Sequence, residues 1–276
     1  MKTTIIQLMT ILSLITLSTG CGNKNGDTME QEADIQQTMA ADSKLSLTED
    51  ITLFFGHQSV GENIVTGLTE LIASGASERF TITDTKQPAG PGFFHSKIGE
   101  NRDPLKKMDE FKQIILADGG ANINIAFMKL CYVDITADTD IESLFTSYTE
   151  MVSELEQSYP QIRVIHLTVP LRTFETGMKG LAKRILGKDK SIPDNSARNH
   201  YNRLIVNQFG SDKALFDLAA LESTNPDGTR EYRTRKGEKI YGLSPDLSND
   251  GGHLNEKGRK LIASSLLLFI DQQDLN

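Results

Sequence analysis

From residue 51 onward the apolar residues alternate between two spacings, and this limits the fold more than any other feature of the chain. Residues 51–55 form a short continuous apolar run of strand length. Val60, Ile64, Val65, Leu68, Leu71 and Ile72 then recur at the spacing of one helix face. The pattern repeats: a weaker strand over 80–85, then a helix opened by Pro104 that carries Leu105, Met108, Phe111, Ile114 and Ile115. Residues 123–128 and 162–169 read as strands separated by a helix over 141–155, and a helix over 197–209 precedes a short strand over 214–218. Residues 255–271 form the last helix. Strands that alternate with helices predict a parallel sheet covered on both faces, here a three-layer α/β/α sandwich around a mostly parallel sheet of five strands. Right-handed crossovers bring the strand ends and the loops after them to one edge, where open α/β sheets bind ligands.

The first 47 residues do not share this pattern. Lys2 gives a positive start, and residues 5–17 are apolar over too short a span for an ordinary membrane helix. Leu17-Ser18-Thr19-Gly20 places small residues before Cys21, as in a bacterial lipobox. The expectation is a lipoprotein signal over 1–21 with Cys21 lipidated, a polar flexible tether over 22–47, and one folded domain over 48–276. This predicts a cell-envelope protein anchored to a membrane by its N-terminal lipid. Cys131, the only other cysteine, then has no disulfide partner in the mature chain. The net charge of −8 argues against nucleic acid as a partner, since binding phosphate takes a cationic surface.

Two short motifs carry chemistry. In FFGHQSVG, Ser59 stands between the first strand and the first helix. It is either a helix cap or a nucleophile delivered to the strand-end edge. In SNDGGHLNEKG, Asp250 and His253 are three apart with two glycines between them, just before the last helix. Such a loop is tight enough for the carboxylate to reach His253 Nδ1, leaving Nε2 to face a hydroxyl elsewhere. Each motif is weak alone, but together they are specific.

A serine at the first strand–helix turn with Asp-x-x-His before the last helix resembles the SGNH, or GDSL-type, hydrolase superfamily. The resemblance runs over about residues 50–270 in element order and rests on those two motifs. It implies an SGNH-hydrolase-like, flavodoxin-like sandwich that cleaves esters without metal or cofactor. It further implies Ser59 as nucleophile, His253 as base and then acid, and Asp250 as the group that orients His253. The implied substrate is an acylated small molecule or glycan; the alternatives are a non-catalytic cell-surface binding protein on the same fold, or an acyltransferase. The family's Gly-Asp-Ser-Leu block falls on His57-Gln58-Ser59-Val60 and agrees only at the serine. Its middle block, which supplies an oxyanion-binding asparagine, has no counterpart after IAFM.

Lys129 or Tyr132 could replace that asparagine, with Lys129 favoured for its charge. The structural alternative for Lys129 is an ion pair with an acid such as Asp134. The Ser59 N–H is one expected oxyanion donor, and PAGPGFFH offers Gly90 or Gly92 as the glycine donor, with Gly92 favoured. His57 reads as a wall of the site. His95 is placed in a loop at the same edge, His166 in the core and His200 on the surface. Cys131 as a nucleophile is the weaker alternative to Ser59, and no histidine pair of metal-binding spacing is present. Residues 172–190 hold six Lys or Arg against two acids. They could form a lid drawn to an anionic substrate or a membrane, although such runs more often form the solvated face of a helix.

Overall fold

The computed structural model describes residues 51–75, 81–117, 120–211 and 213–273. The expected signal segment, Cys21, the tether and Phe80 lie outside these residues. The first apolar run is strand β1 (Thr52–His57), buried along its whole length. Only a central strand with helices on both faces can be apolar on both sides, and β1 is that strand. The sheet order is β2 (Ile82–Asp84), β3 (Gly92–Lys97), β1, β4 (Ile125–Met128), β5 (Arg163–Leu167) and β6 (Leu215–Phe216), with every neighbouring pair parallel.

The sheet therefore has six strands, not five. The one missed by sequence is β3. Glycine and proline at 90–92 give its start the look of a loop, and its burial leaves no polar alternation to mark it. This also corrects the placement of His95, which lies inside β3 and is 7% exposed.

Side chains leave β1 alternately toward two cores. Leu53 and Phe55 pack with helices α1 (Ser59–Ala73) and α7 (Glu256–Asp271). Phe54 packs on the other face with α2 (Pro104–Leu116), α3 (Ile141–Ser158) and α5 (Ser191–Phe209). Pro104 opens α2 as expected, behind an Asp103 cap that accepts from the Lys106 N–H at 3.0 Å. The basic segment after β5 contains helix α4 (Gly177–Ile185). A short α6 (Leu218–Ser223) follows β6, and an antiparallel hairpin, β7 (Tyr232–Arg235) and β8 (Glu238–Tyr241), stands apart from the sheet. No helix among the described residues is long and apolar enough to cross a membrane.

This topology sets the site. The chain leaves β1 for α1 on one face and leaves β3 for α2 on the other, so a crevice opens between their carboxyl ends. Ser59 is the second residue after β1.

Candidate active site

The Ser59 side chain does not cap its helix. Gln58 holds the cap position in an extended conformation and makes no side-chain cap bond. Its amide nitrogen is turned away, donating to Ile98 O at 2.8 Å and Gly99 O at 3.0 Å. The first N–H groups of α1 are thus left without a capping oxygen at its positive end. The Ser59 hydroxyl instead meets His253 Nε2 at 3.0 Å, across 194 residues of sequence.

Beneath this corner lies His57, fully buried. Its Nδ1 is 3.0 Å from Gln58 O, and its Nε2 is 3.0 Å from His95 Nδ1. The carbonyl can only accept, so His57 carries its proton on Nδ1 and receives one from His95 at Nε2. Burial drives the His57 pKa down to about 3, the Gln58 carbonyl opposing and the charges of His95, Lys129 and Lys97 adding to the drop. The ring is a neutral prop under α1. A Cβ at Gly61 would lie 2.2 Å from His57 Cβ, so glycine is what lets the helix pass over it. His57 is therefore not a wall of the site: both its nitrogens are engaged below the surface.

The partner loop is built from its own polar groups. An isolated bridge between Ser248 and Leu254 closes it. Asp250 Oδ1 accepts from the Gly252 N–H at 2.9 Å and the His253 N–H at 2.8 Å, and Oδ2 meets His253 Nδ1 at 2.7 Å. Burial opposes ionisation of Asp250, but these N–H groups and the imidazole outweigh it and hold the carboxyl well below the usual carboxylate range. Gly251 has φ +81°, which favours glycine, and a Cβ there would meet Thr173 Oγ1 at 2.5 Å. A Cβ at Gly252 would press on the Tyr132 phenol at 2.8 Å. The Leu254 N–H donates to Asn63 Oδ1 at 3.1 Å, tying the loop to α1. Ser59, His253 and Asp250 thus form one hydrogen-bonded line, with the His253 and Asp250 side chains 39% and 59% exposed.

The remaining expected donors are placed differently. Gly92 begins β3, level with Thr52 at the far end of the sheet, and its N–H donates to Ile51 O at 2.9 Å. It cannot serve Ser59, and the error follows from the missed strand. The glycine that does follow β3 is Gly99, whose N–H donates to Glu110 Oε2 at 2.6 Å. Tyr132 stands edge-on to the His253 ring, centroids 5.8 Å apart, and so flanks the imidazole. Lys129 is buried, its Nζ 3.2 Å from Leu130 O and 3.5 Å from Cys131 Sγ. It does not pair with Asp134, which binds the buried Lys107 at 2.6 Å. Cys131 is 1% exposed, an inert setting for a nucleophile. His166 is a core residue stacked on Phe209, and His200 is partly exposed beside Glu142.

Two further residues have surroundings that the sequence does not reveal. Arg172 Nε donates to Gly251 O at 3.2 Å, and its guanidinium lies 5.3 Å from the centre of the Tyr132 ring. Glu222 is fully buried with Oε2 on the Leu171 N–H at 2.9 Å and Oε1 unpartnered. Burial raises its pKa to about 8 against the pull of the Leu171 N–H and the charge of Lys129. Nothing local marks either residue, since the partners of both are brought to them by chain crossings that only the fold supplies.

No protein-family model matches the chain, and no curated protein matches it. Among solved structures it is similar to a GDSL-like lipase from Bacteroides thetaiotaomicron VPI-5482, at 11% identity over 88% of this chain and 97% of that one, with a TM-score of 0.51. The fold is that of the SGNH-hydrolase-like proteins. Looser likenesses are to an acetyl xylan esterase (18% identity, 78% and 96% covered, TM-score 0.45) and to the periplasmic domain of a lipopolysaccharide acetyltransferase from Salmonella Paratyphi A (10% identity, 89% and 96% covered, TM-score 0.41). Open α/β sheets bind ligands beyond the carboxyl ends of their strands, and there the Ser59–His253–Asp250 line lies.

Proposed function

We propose that the chain is a serine ester hydrolase working through an acyl-enzyme intermediate. The observation that carries this reading is the hydrogen-bonded line from Ser59 Oγ through His253 to Asp250 Oδ2. Ser59 Oγ attacks the acyl carbon while His253 Nε2 takes its proton. The new C–O bond forms, the bond to the alcohol breaks, and His253 returns the proton to the departing oxygen. Water then attacks the acyl-enzyme with His253 again as base, releasing the acid. Asp250 stays ionised, fixes the Nδ1–H tautomer and steadies the imidazolium. The uncapped N–H groups at the start of α1 stabilise the oxyanion. The exposure of His253 and Asp250 favours an ester presented on a large carrier, such as an acylated glycan, over a small molecule that must be engulfed.

A competing reading, a surface binding protein that keeps the fold without turnover, draws on one observation. The position of the family's asparagine is empty of amides, and the Lys129 ammonium bonds to Leu130 O and Cys131 Sγ. Hydrolysis of an activated short-chain ester separates the two. Ser59→Ala is expected to lower the rate by about 10³-fold or more with an unchanged melting temperature. An inactive wild type that also resists a serine-directed covalent ester probe would favour the binding protein.

We also propose that Cys21 carries lipid and anchors the 48–276 domain to a bacterial membrane at the cell envelope, with 22–47 as tether. This rests on the sequence alone. Cys21→Ser should release the protein from the membrane fraction of its host or leave it unprocessed. An N-terminal peptide without lipid mass in the wild type would refute the anchor.

A further inference from the structure

Helix α4 is amphipathic with its apolar side outward. Met178, Leu181 and Ile185 fall at i, i+3 and i+7, on one stripe. They are 89%, 54% and 77% exposed, and Leu186, which follows them, is 67% exposed. Only six large apolar side chains are exposed among the described residues: these four, Tyr232 on the adjacent hairpin, and Leu105 on α2. A cluster of this kind on one short helix is unlike the scattered apolar exposure of an ordinary surface.

The cluster sits in cationic surroundings. Residues 172–190 and 230–239 hold eleven Lys or Arg against four acids, in a chain whose net charge is −8. The two segments meet at a cleft of about 270 Å³ whose lining includes Arg184 and Arg235. The strap that leads into α4 is bonded to the catalytic loop, through Arg172 Nε and the Thr173 N–H, both to Gly251 O.

We infer that α4 is an interfacial helix: the Met178–Leu181–Ile185 stripe enters the head-group region of an anionic bilayer while the neighbouring cations meet its phosphates. The charge selects an anionic partner, and the stripe requires an apolar phase beneath that charge, which a bilayer supplies and a soluble polyanion does not. A second copy is disfavoured because two strongly cationic faces would meet. This reading does not depend on turnover at Ser59 and is separate from any lipid on Cys21.

The chain has no tryptophan, so Met178→Trp introduces a single emitter on the stripe. Leu186→Trp is a second, and Leu105→Trp on α2 is the control. In the full chain, both stripe emitters should shift to the blue on phosphatidylglycerol vesicles and be quenched by brominated acyl chains, while Leu105→Trp stays unshifted. Arg235→Gln and Lys188→Gln should each weaken partition about fivefold. Four results would overturn the proposal. Both stripe emitters could stay unshifted on vesicles, as they would if only the N-terminal segment held the chain there. Leu105→Trp could shift equally. The shift could appear without vesicles and grow with protein concentration, marking a second copy. Inorganic phosphate alone could reproduce it, marking a soluble-anion site.

Discussion

The two halves of the Ser59–His253–Asp250 line are held by opposite physics. Ser59 rides on a corner fixed by buried packing: β1 is inaccessible along its length, and α1 passes over the His57 ring with no room for a Cβ at Gly61. His253 rides on an exposed loop fixed by its own hydrogen bonds, four of them to the Asp250 carboxylate. Electrostatics divide in the same way. On the buried side desolvation drives ionisable groups neutral, His57 down to about 3 and Glu222 up to about 8. On the exposed side converging N–H groups keep Asp250 ionised. The corner should therefore answer to changes in volume and burial, and the loop to changes in donors and acceptors.

The largest effect that tests this contrast is Asp250→Asn. An amide can keep the backbone bonds of the loop through its oxygen, but it then presents N–H to His253 Nδ1. The ring must accept there and carry its proton on Nε2, where it can no longer receive the Ser59 proton. The expected loss is about 10²–10⁴-fold in kcat with nearly unchanged stability, read by ester hydrolysis and thermal melting. A large loss of stability would mean that the loop depends on packing after all.

Gly61→Ala should do the reverse. The new methyl meets the His57 ring and can be relieved only by shifting helix or strand, at a cost of about 3 kcal/mol in chemical denaturation. A variant of wild-type stability would show that the corner yields, and that the contrast with the loop is false.

The smallest effect concerns pH. Folded Glu222 holds its proton up to about 8, whereas its ordinary value is 4.5. Between these values the unfolded chain has released a proton that the folded chain keeps, so stability is greatest below pH 4.5 and declines as pH rises toward 8. Glu222→Gln removes this slope. Measured against wild type, it should gain on the order of 2 kcal/mol between pH 5 and pH 6.5. Parallel stability curves for the two proteins would show that Glu222 is ionised despite its burial.

The same contrast explains what could be read from sequence. The Asp250–His253 loop was legible because its contacts are local: an acid, two glycines and a histidine within four residues state most of its geometry. The layered fold was legible because strand and helix periods differ. The surroundings of Ser59 were not legible. The three residues before it gave no hint that His57 props the helix against His95, a contact that needs β3 beside β1. Without β3, Gly92 reads as the residue that follows a strand, whereas it begins one at the opposite end of the sheet. The structural alternative for Lys129, a pair with Asp134, fails for a related reason: Lys107 holds Asp134 from a helix that only the fold brings there. The contact between Ser59 and His253 is legible because it pairs the serine with the distant loop and not with its neighbours.

The Asp250 carboxylate both orients the imidazole and closes the loop on which the imidazole stands. Selection on a lineage that had abandoned turnover would still retain that acid, because discarding it would unravel the segment. The Ser59 hydroxyl has no such second duty, since its one hydrogen bond among the described residues is to His253. Among descendants of this chain, drift at position 59 would record the end of catalysis, while position 250 would stay silent.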